Sequence, residues 1–264
     1  MAFLAAAARG FFAAVVLVFG AAALAFGAAF ALGAAFGHQI PMTNFRTQAK
    51  AAEAAMRDVF PPTPLQRNEH LSERFGANIL LKREDLTPVR SYKLRGAFNA
   101  MSKRRVSHPD QRNFVCASAG NHAQGFAFAC RHFGVTGEVF MPITTPQQKI
   151  EKTRAFGGDF VKIRLTGDYF DQTLRAAQDH CADIGAHFLS PFDDPDVIEG
   201  QASVAVEIEA ELGTPPDMLL LPVGGGGLSA GVTRYFTDSA AGISFRYVEP
   251  AGGASLTAAL AQGK

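Results

Sequence analysis

The sequence has no tryptophan, four tyrosines and three cysteines. Cys116, Cys130 and Cys181 form an odd set with neither a C-x-x-C pair nor metal-ligand spacing. That excludes a disulfide framework and suits small buried apolar residues in a reducing, cytoplasmic compartment. Net charge is nearly absent as well, at +1, so neither nucleic acid nor an anionic surface is indicated as the main partner. Charge of either sign is missing altogether from residues 10–37, which are built largely from Ala, Phe, Gly, Val and Leu. That length suffices to span a bilayer. Yet Ala and Gly contribute little to insertion, interfacial Trp and Tyr are lacking, and the basic region of a secretory signal is missing. Two readings stand for residues 1–41: a membrane anchor, or translated sequence upstream of a start at Met42 that is dispensable to the fold. The second is favoured, and a chain beginning at Met42 is expected to be soluble and unchanged in activity.

What is present is ample apolar residue for a core, 48% of the chain, arranged in a regular rhythm. Residues 42–60 carry Ala52, Ala55, Met56 and Val59 at helical spacing until Pro61-Pro62-Thr63-Pro64 breaks the pattern. Short apolar runs at 78–81, 114–117, 138–141, 159–165, 186–189, 218–223 and 245–248 read as strands. Between them lie helical stripes, among them Ala123, Phe126, Ala127 and Cys130, and Phe170, Leu174, Ala177 and Cys181. Strands alternating with helices predict an α/β fold with parallel sheets covered on both faces and ligands at the carboxyl ends of the strands.

Three stretches at predicted strand ends carry chemistry. In Ser91-Tyr92-Lys93-Leu94-Arg95-Gly96-Ala97, Lys93 stands where a loop turns into a helix, aimed into a cleft. Lys82, Arg90 and Arg95 make its surroundings cationic, which lowers a lysine pKa toward the nucleophilic free amine; a solvated basic helix start is the alternative. Ser118-Ala119-Gly120-Asn121-His122 follows a strand and opens a helix, where backbone N–H groups bind anions, unless Ser and Asn serve only as caps. Gly224-Gly225-Gly226-Gly227-Leu228 also links a strand to a helix. Its glycines suit a phosphate cup or a tight turn, but the Lys-Ser/Thr that a nucleoside triphosphate site needs after the last glycine is missing.

In that order, S-Y-K-L-R-G-A, S-A-G-N-H and G-G-G-G-L resemble the threonine dehydratase branch of the pyridoxal-phosphate enzymes of the tryptophan synthase β fold, over residues 42–264. The resemblance implies a two-domain parallel-sheet α/β fold, with a smaller subdomain at about 95–187 and a larger one at about 42–94 plus 188–264. It implies that Lys93 holds pyridoxal 5'-phosphate as a Schiff base and later acts as general base. It assigns Asn121 to the cofactor's ring hydroxyl, Gly224, Gly225, Gly226, Gly227 and Leu228 to its phosphate, and Ser118, Ala119, Gly120, Asn121 and His122 to the substrate carboxylate. It requires no metal. The implied activity is a carbon–nitrogen lyase that converts L-threonine to 2-oxobutanoate and ammonia for isoleucine biosynthesis, in a homo-oligomer.

L-serine is the alternative substrate, since one methyl group is worth only about 1–3 kcal/mol of discrimination. Serine racemases of the same family carry a serine immediately before G-N-H; here Ala119 stands there and cannot carry a proton. Their cation site is matched by Glu249 but not by the later acidic residue, so dehydration is favoured over racemisation. From another class, an inactive truncated or membrane-tethered relic would keep the fold without bound cofactor. The family completes its site from a strand beyond Val248-Glu249-Pro250 with a residue facing the pyridine nitrogen. The chain, read as incomplete at its C-terminus, is therefore expected to fold poorly alone and to turn over little threonine.

Overall fold

The computed structural model describes residues 15–19, 42–238 and 242–263. Their strands form two sheets. The first, in the order β2-β3-β1-β8-β9, contains β1 (Val15–Phe19), β2 (Leu65–Arg67), β3 (Ile79–Arg83), β8 (Met218–Pro222) and β9 (Ser244–Val248). The second, in the order β6-β5-β4-β7, contains β4 (Asn113–Ala117), β5 (Thr136–Met141), β6 (Val161–Leu165) and β7 (His187–Phe188). Every pairing is parallel except that of β2 with β3. The alternation of apolar runs with helical stripes thus yields parallel α/β layers, as expected.

The helices are α1 (Met42–Met56), α2 (Glu69–Phe75), α3 (Lys93–Ser107), α4 (Asn121–Phe133), α5 (Gln147–Gly157), α6 (Phe170–Asp183), α7 (Pro195–Leu212), α8 (Gly227–Thr237) and α9 (Ser255–Ala261). Their ends follow local chemistry. Asp194 caps α7 by accepting hydrogen bonds from the backbone N–H groups of Asp196 and Val197, Pro195 opens its first turn, and Gly213 ends it in the left-handed region at φ 69°. Helix α2 lacks a long apolar stripe and was not expected; Asn68 caps it at 2.8 Å from Leu71 N and Gly76 closes it.

Residues 15–19 lie inside the stretch expected to stand apart from the fold. They run parallel between β3 and β8, Val15 lying opposite both Ile79 and Met218. Most of the stretch weighed as a membrane anchor lies outside the described residues, and no described helix is long and apolar enough to cross a membrane.

Two main cores separate the layers. One packs Ala205, Ile208, Val232, Tyr235 and Phe236 against Leu219 and Leu221; the other packs Phe114, Cys116, Phe126, Cys130, Val139 and Met141. Each Val, Leu, Ile, Met and Phe side chain among them contributes roughly 1.5–3 kcal/mol through burial. Helices α3 and α7 cross at glycine. A Cβ on Gly200 would stand 2.5 Å from Arg95 O and 2.8 Å from Gly96 Cα, so only hydrogen fits. This close crossing fixes the helix that begins at Lys93.

Candidate active site

The approach to Lys93 is built by a tied loop. Pro88 starts a turn in which Thr87 Oγ1 accepts from Ser91 N at 2.9 Å, and Arg90 takes φ 61°, the one positive value among the described non-glycine residues. A non-glycine residue there costs about 1–3 kcal/mol, and the surrounding structure must hold it. The loop delivers Lys93 as the first residue of α3, as the sequence predicts, with its amine donating to Pro191 O at 2.8 Å. Burial lowers the Lys93 pKa from 10.5 to about 8.

The cause differs from the one read in the sequence, where the neighbouring cations were expected to depress it. Arg95 and Lys82 are themselves fully buried and spoken for. The Arg95 guanidinium donates to both Glu84 oxygens at 2.7 and 2.8 Å and to both Glu207 oxygens at 2.7 and 2.9 Å. Lys82 Nζ donates to Thr63 O at 2.5 Å and pairs with Glu207 at 2.8 Å. Burial alone would raise the Glu207 carboxyl, yet the Arg95 and Lys82 cations hold it at about 2. Their charge is thus spent within an ion network beneath the site, and desolvation is what frees the Lys93 amine.

Ser118 to Gly120 follow β4, and Asn121 begins α4. Ser118 Oγ accepts from Gly120 N at 3.2 Å, and Gly120 stands at the cap with φ −138° and ψ −146°. His122 is 2% exposed, and its Nε2 lies 3.2 Å from Leu189 O. The glycine loop leaves β8, and α8 starts at Gly227 after Gly226 turns left-handed at φ 86°. Leu228 is buried in the core beneath it. A Cβ on Gly225 would meet the Phe192 ring at 2.3 Å and one on Gly227 would meet Phe192 O at 2.9 Å, whereas Gly224 and Gly226 face open space.

One short segment therefore touches all three stretches. Leu189 O meets His122, Pro191 O meets Lys93, and Phe192 lies on the glycines. Sequence reasoning ended a strand at 189 and passed over this segment, though Pro191 and the Asp194-Pro195 cap bracket it. Two buried polar atoms in this neighbourhood, Ser91 Oγ and His122 Nδ1, have no hydrogen-bond partner among the described residues. Glu249, weighed as a cation ligand, instead receives Leu256 N at 2.6 Å and Thr257 N at 3.0 Å and so caps α9.

The chain is 50% identical over 204 residues to the biosynthetic L-threonine dehydratase IlvA of Bacillus subtilis, covering 77% of this chain and 48% of that protein. It is 44% identical over 233 residues to the Mycobacterium leprae IlvA, covering 85% of this chain and 54% of that protein. It therefore spans about half the length of these curated relatives. The processed form of threonine deaminase isoform 2 from Solanum lycopersicum superposes with a TM-score of 0.77 at 39% identity, over 86% of this chain and 61% of that one. Maize serine racemase, 23% identical over 83% of this chain and 65% of its own, shares the fold with a TM-score of 0.76. A family model described as pyridoxal-phosphate dependent enzyme matches residues 56–264, and the chain belongs to that family.

Proposed function

We propose that this chain carries the catalytic region of an L-threonine ammonia-lyase, which removes water and then ammonia from threonine to leave 2-oxobutanoate. Pyridoxal phosphate, when bound, supplies the electron sink for charge developing at the substrate Cα. The residues present fit that group. An amine with a pKa near 8 stands at the head of α3, the outward glycines Gly224 and Gly226 leave a backbone concavity at a helix N-terminus, and two buried polar atoms lack protein partners.

In this reading Lys93 binds the cofactor covalently, and its free amine later takes the Cα proton. Asn121 orients the cofactor through its amide, Gly224 to Leu228 hold the phosphate through backbone N–H groups, and the Ser118 to His122 turn receives the substrate carboxylate. We read the four-stranded sheet as the core of a smaller subdomain at about 95–187 and the five-stranded sheet as that of a larger one. The relatives, biosynthetic L-threonine dehydratases by name, support a biosynthetic role, and a cytoplasmic homo-oligomer acting on a small amino acid completes the proposal.

The observation that carries the reading is the 2.8 Å contact of Lys93 with Pro191 O, within the one segment that also touches His122 and the glycine loop. The test is 2-oxobutanoate formation from L-threonine, with pyruvate from L-serine measured in parallel. The chain is assayed as it stands and joined to the C-terminal segment of a curated relative. The joined form is expected to turn over threonine and to lose both turnover and lysine-bound cofactor absorbance on Lys93→Ala. A joined form that binds the cofactor at Lys93 yet releases no 2-oxobutanoate overturns the proposal.

A further inference from the structure

The His122 imidazole has a definable hydrogen-bonding state. Its Nε2 lies against Leu189 O, and a carbonyl oxygen only accepts, so Nε2 carries the hydrogen. Nδ1 then offers a bare lone pair, and it is buried without a partner. Protonation does not relieve it, because burial and the nearby Lys93 charge push the pKa down to about 3. Lys93, from α3, is the charged group that bears on this ring, and the Leu189 carbonyl is the dipole facing it. His122 is therefore an acceptor at working pH and has no free N–H with which to bind a carboxylate.

Lys93 stands close to that ring: Gly125, one turn along α4 from His122, packs so tightly on the head of α3 that a Cβ there would lie 3.0 Å from Lys93 C. Its amine already donates to Pro191 O, two residues beyond the carbonyl that fixes the imidazole. A neutral primary amine has two N–H bonds and one lone pair. If Pro191 O takes one hydrogen and a second acceptor takes the other, the lone pair is left with a single direction. We propose that His122 Nδ1 is that second acceptor, a positioning residue that aims the freed Lys93 amine at the substrate Cα. This deepens the proposed lyase reading and rests on it. In the step concerned the Cα–H bond breaks, the proton forms a new N–H bond on Nζ, and the electron pair stays with the substrate carbon. The carboxylate is left to the backbone N–H groups of the first turn of α4.

The test needs no turnover. The purified 264-residue chain is labelled with 15N-histidine, and the His122 resonances are assigned by their loss in His122→Gln. Two-bond proton–nitrogen spectra are expected to show the neutral Nε2–H tautomer from pH 5 to 9. Nδ1 should shift as Lys93 titrates near pH 8, a step absent from Lys93→Met. An imidazolium forming near pH 6.5, an Nδ1–H tautomer, or indifference to Lys93 overturns the proposal.

A second arm uses the joined enzyme. His122→Gln, which retains an acceptor and a donor, should keep most of kcat, whereas His122→Phe should lower kcat at least tenfold with little change in KM. A rise in KM with kcat preserved would return His122 to the carboxylate and overturn the assignment. If the joined enzyme turns over no hydroxyamino acid, the lyase reading fails and the spectra alone decide the state of His122.

Discussion

At the scale of single residues, the four consecutive glycines divide into two kinds. Gly225 and Gly227 are pressed against Phe192, while Gly224 and Gly226 border open space. The first pair is fixed by packing and the second is available to a ligand. Gly225→Ala should therefore cost about 1–3 kcal/mol of stability, because its methyl group would overlap an aromatic ring held from behind. Gly224→Ala should leave the denaturation midpoint nearly unmoved and weaken cofactor binding severalfold, since a methyl group there intrudes on the concavity. Urea denaturation and equilibrium dialysis of pyridoxal phosphate separate the two; equal destabilisation by both substitutions would remove the distinction. The sequence announced the glycine run but not this division, which depends on a phenylalanine more than thirty positions upstream.

At the scale of elements, the ion network under Lys93 ties β3, α3 and α7 to the Pro-rich loop. Breaking such a buried pair costs about 3–5 kcal/mol, because it strands a charge away from water. Its pH dependence has a definite sign. The Glu207 carboxyl is held at about 2 against an ordinary 4.5, so its contribution is complete above 4.5 and is lost as pH falls toward 2. Native stability measured in urea should decline across that window, and Glu207→Gln should flatten the decline while lowering stability at neutral pH. None of this was legible in the sequence. The cations beside Lys93 read as an electrostatic field on it, but Arg95 finds Glu207 112 positions downstream, and only the folded α7 brings that carboxylate near.

The strand rhythm, by contrast, was legible because a parallel sheet buried on both faces writes each strand as a continuous apolar run. The segment at 189–192 has no periodicity, and Pro191 with the Asp194-Pro195 cap marks only a turn there, not the meeting point of three sites. Strand β1 escaped for the opposite reason: its Val-Val-Leu-Val-Phe run lay inside a longer apolar tract that masked it. Its place between β3 and β8 bears on the expectation that residues 1–41 are dispensable. A chain beginning at Met42 loses the strand that both neighbours share, and its urea midpoint should fall relative to the 264-residue chain. An unchanged midpoint would mean that the sheet closes as well without β1.

At the scale of the whole molecule, the two sheets differ in how far apart their strands lie along the chain. The four-stranded sheet draws every strand from residues 113–188, whereas the five-stranded sheet joins β3 at 79–83 to β8 at 218–222 through β1 at 15–19. Closing long loops must precede the contacts that reward it, so the two layers should differ in when they form. On refolding, amides of β4 and β5 should gain protection from hydrogen exchange before those of β8, as pulse labelling would register. Simultaneous protection would indicate a single cooperative nucleus across both layers.

That asymmetry has a consequence during synthesis. The local sheet is complete once residue 188 has emerged from the ribosome, while β1 has no β8 to pair with until some thirty residues later. At about 5–20 residues per second that interval lasts a few seconds. During it the nascent chain holds one finished layer and one open apolar strand, and this is when it most needs a chaperone.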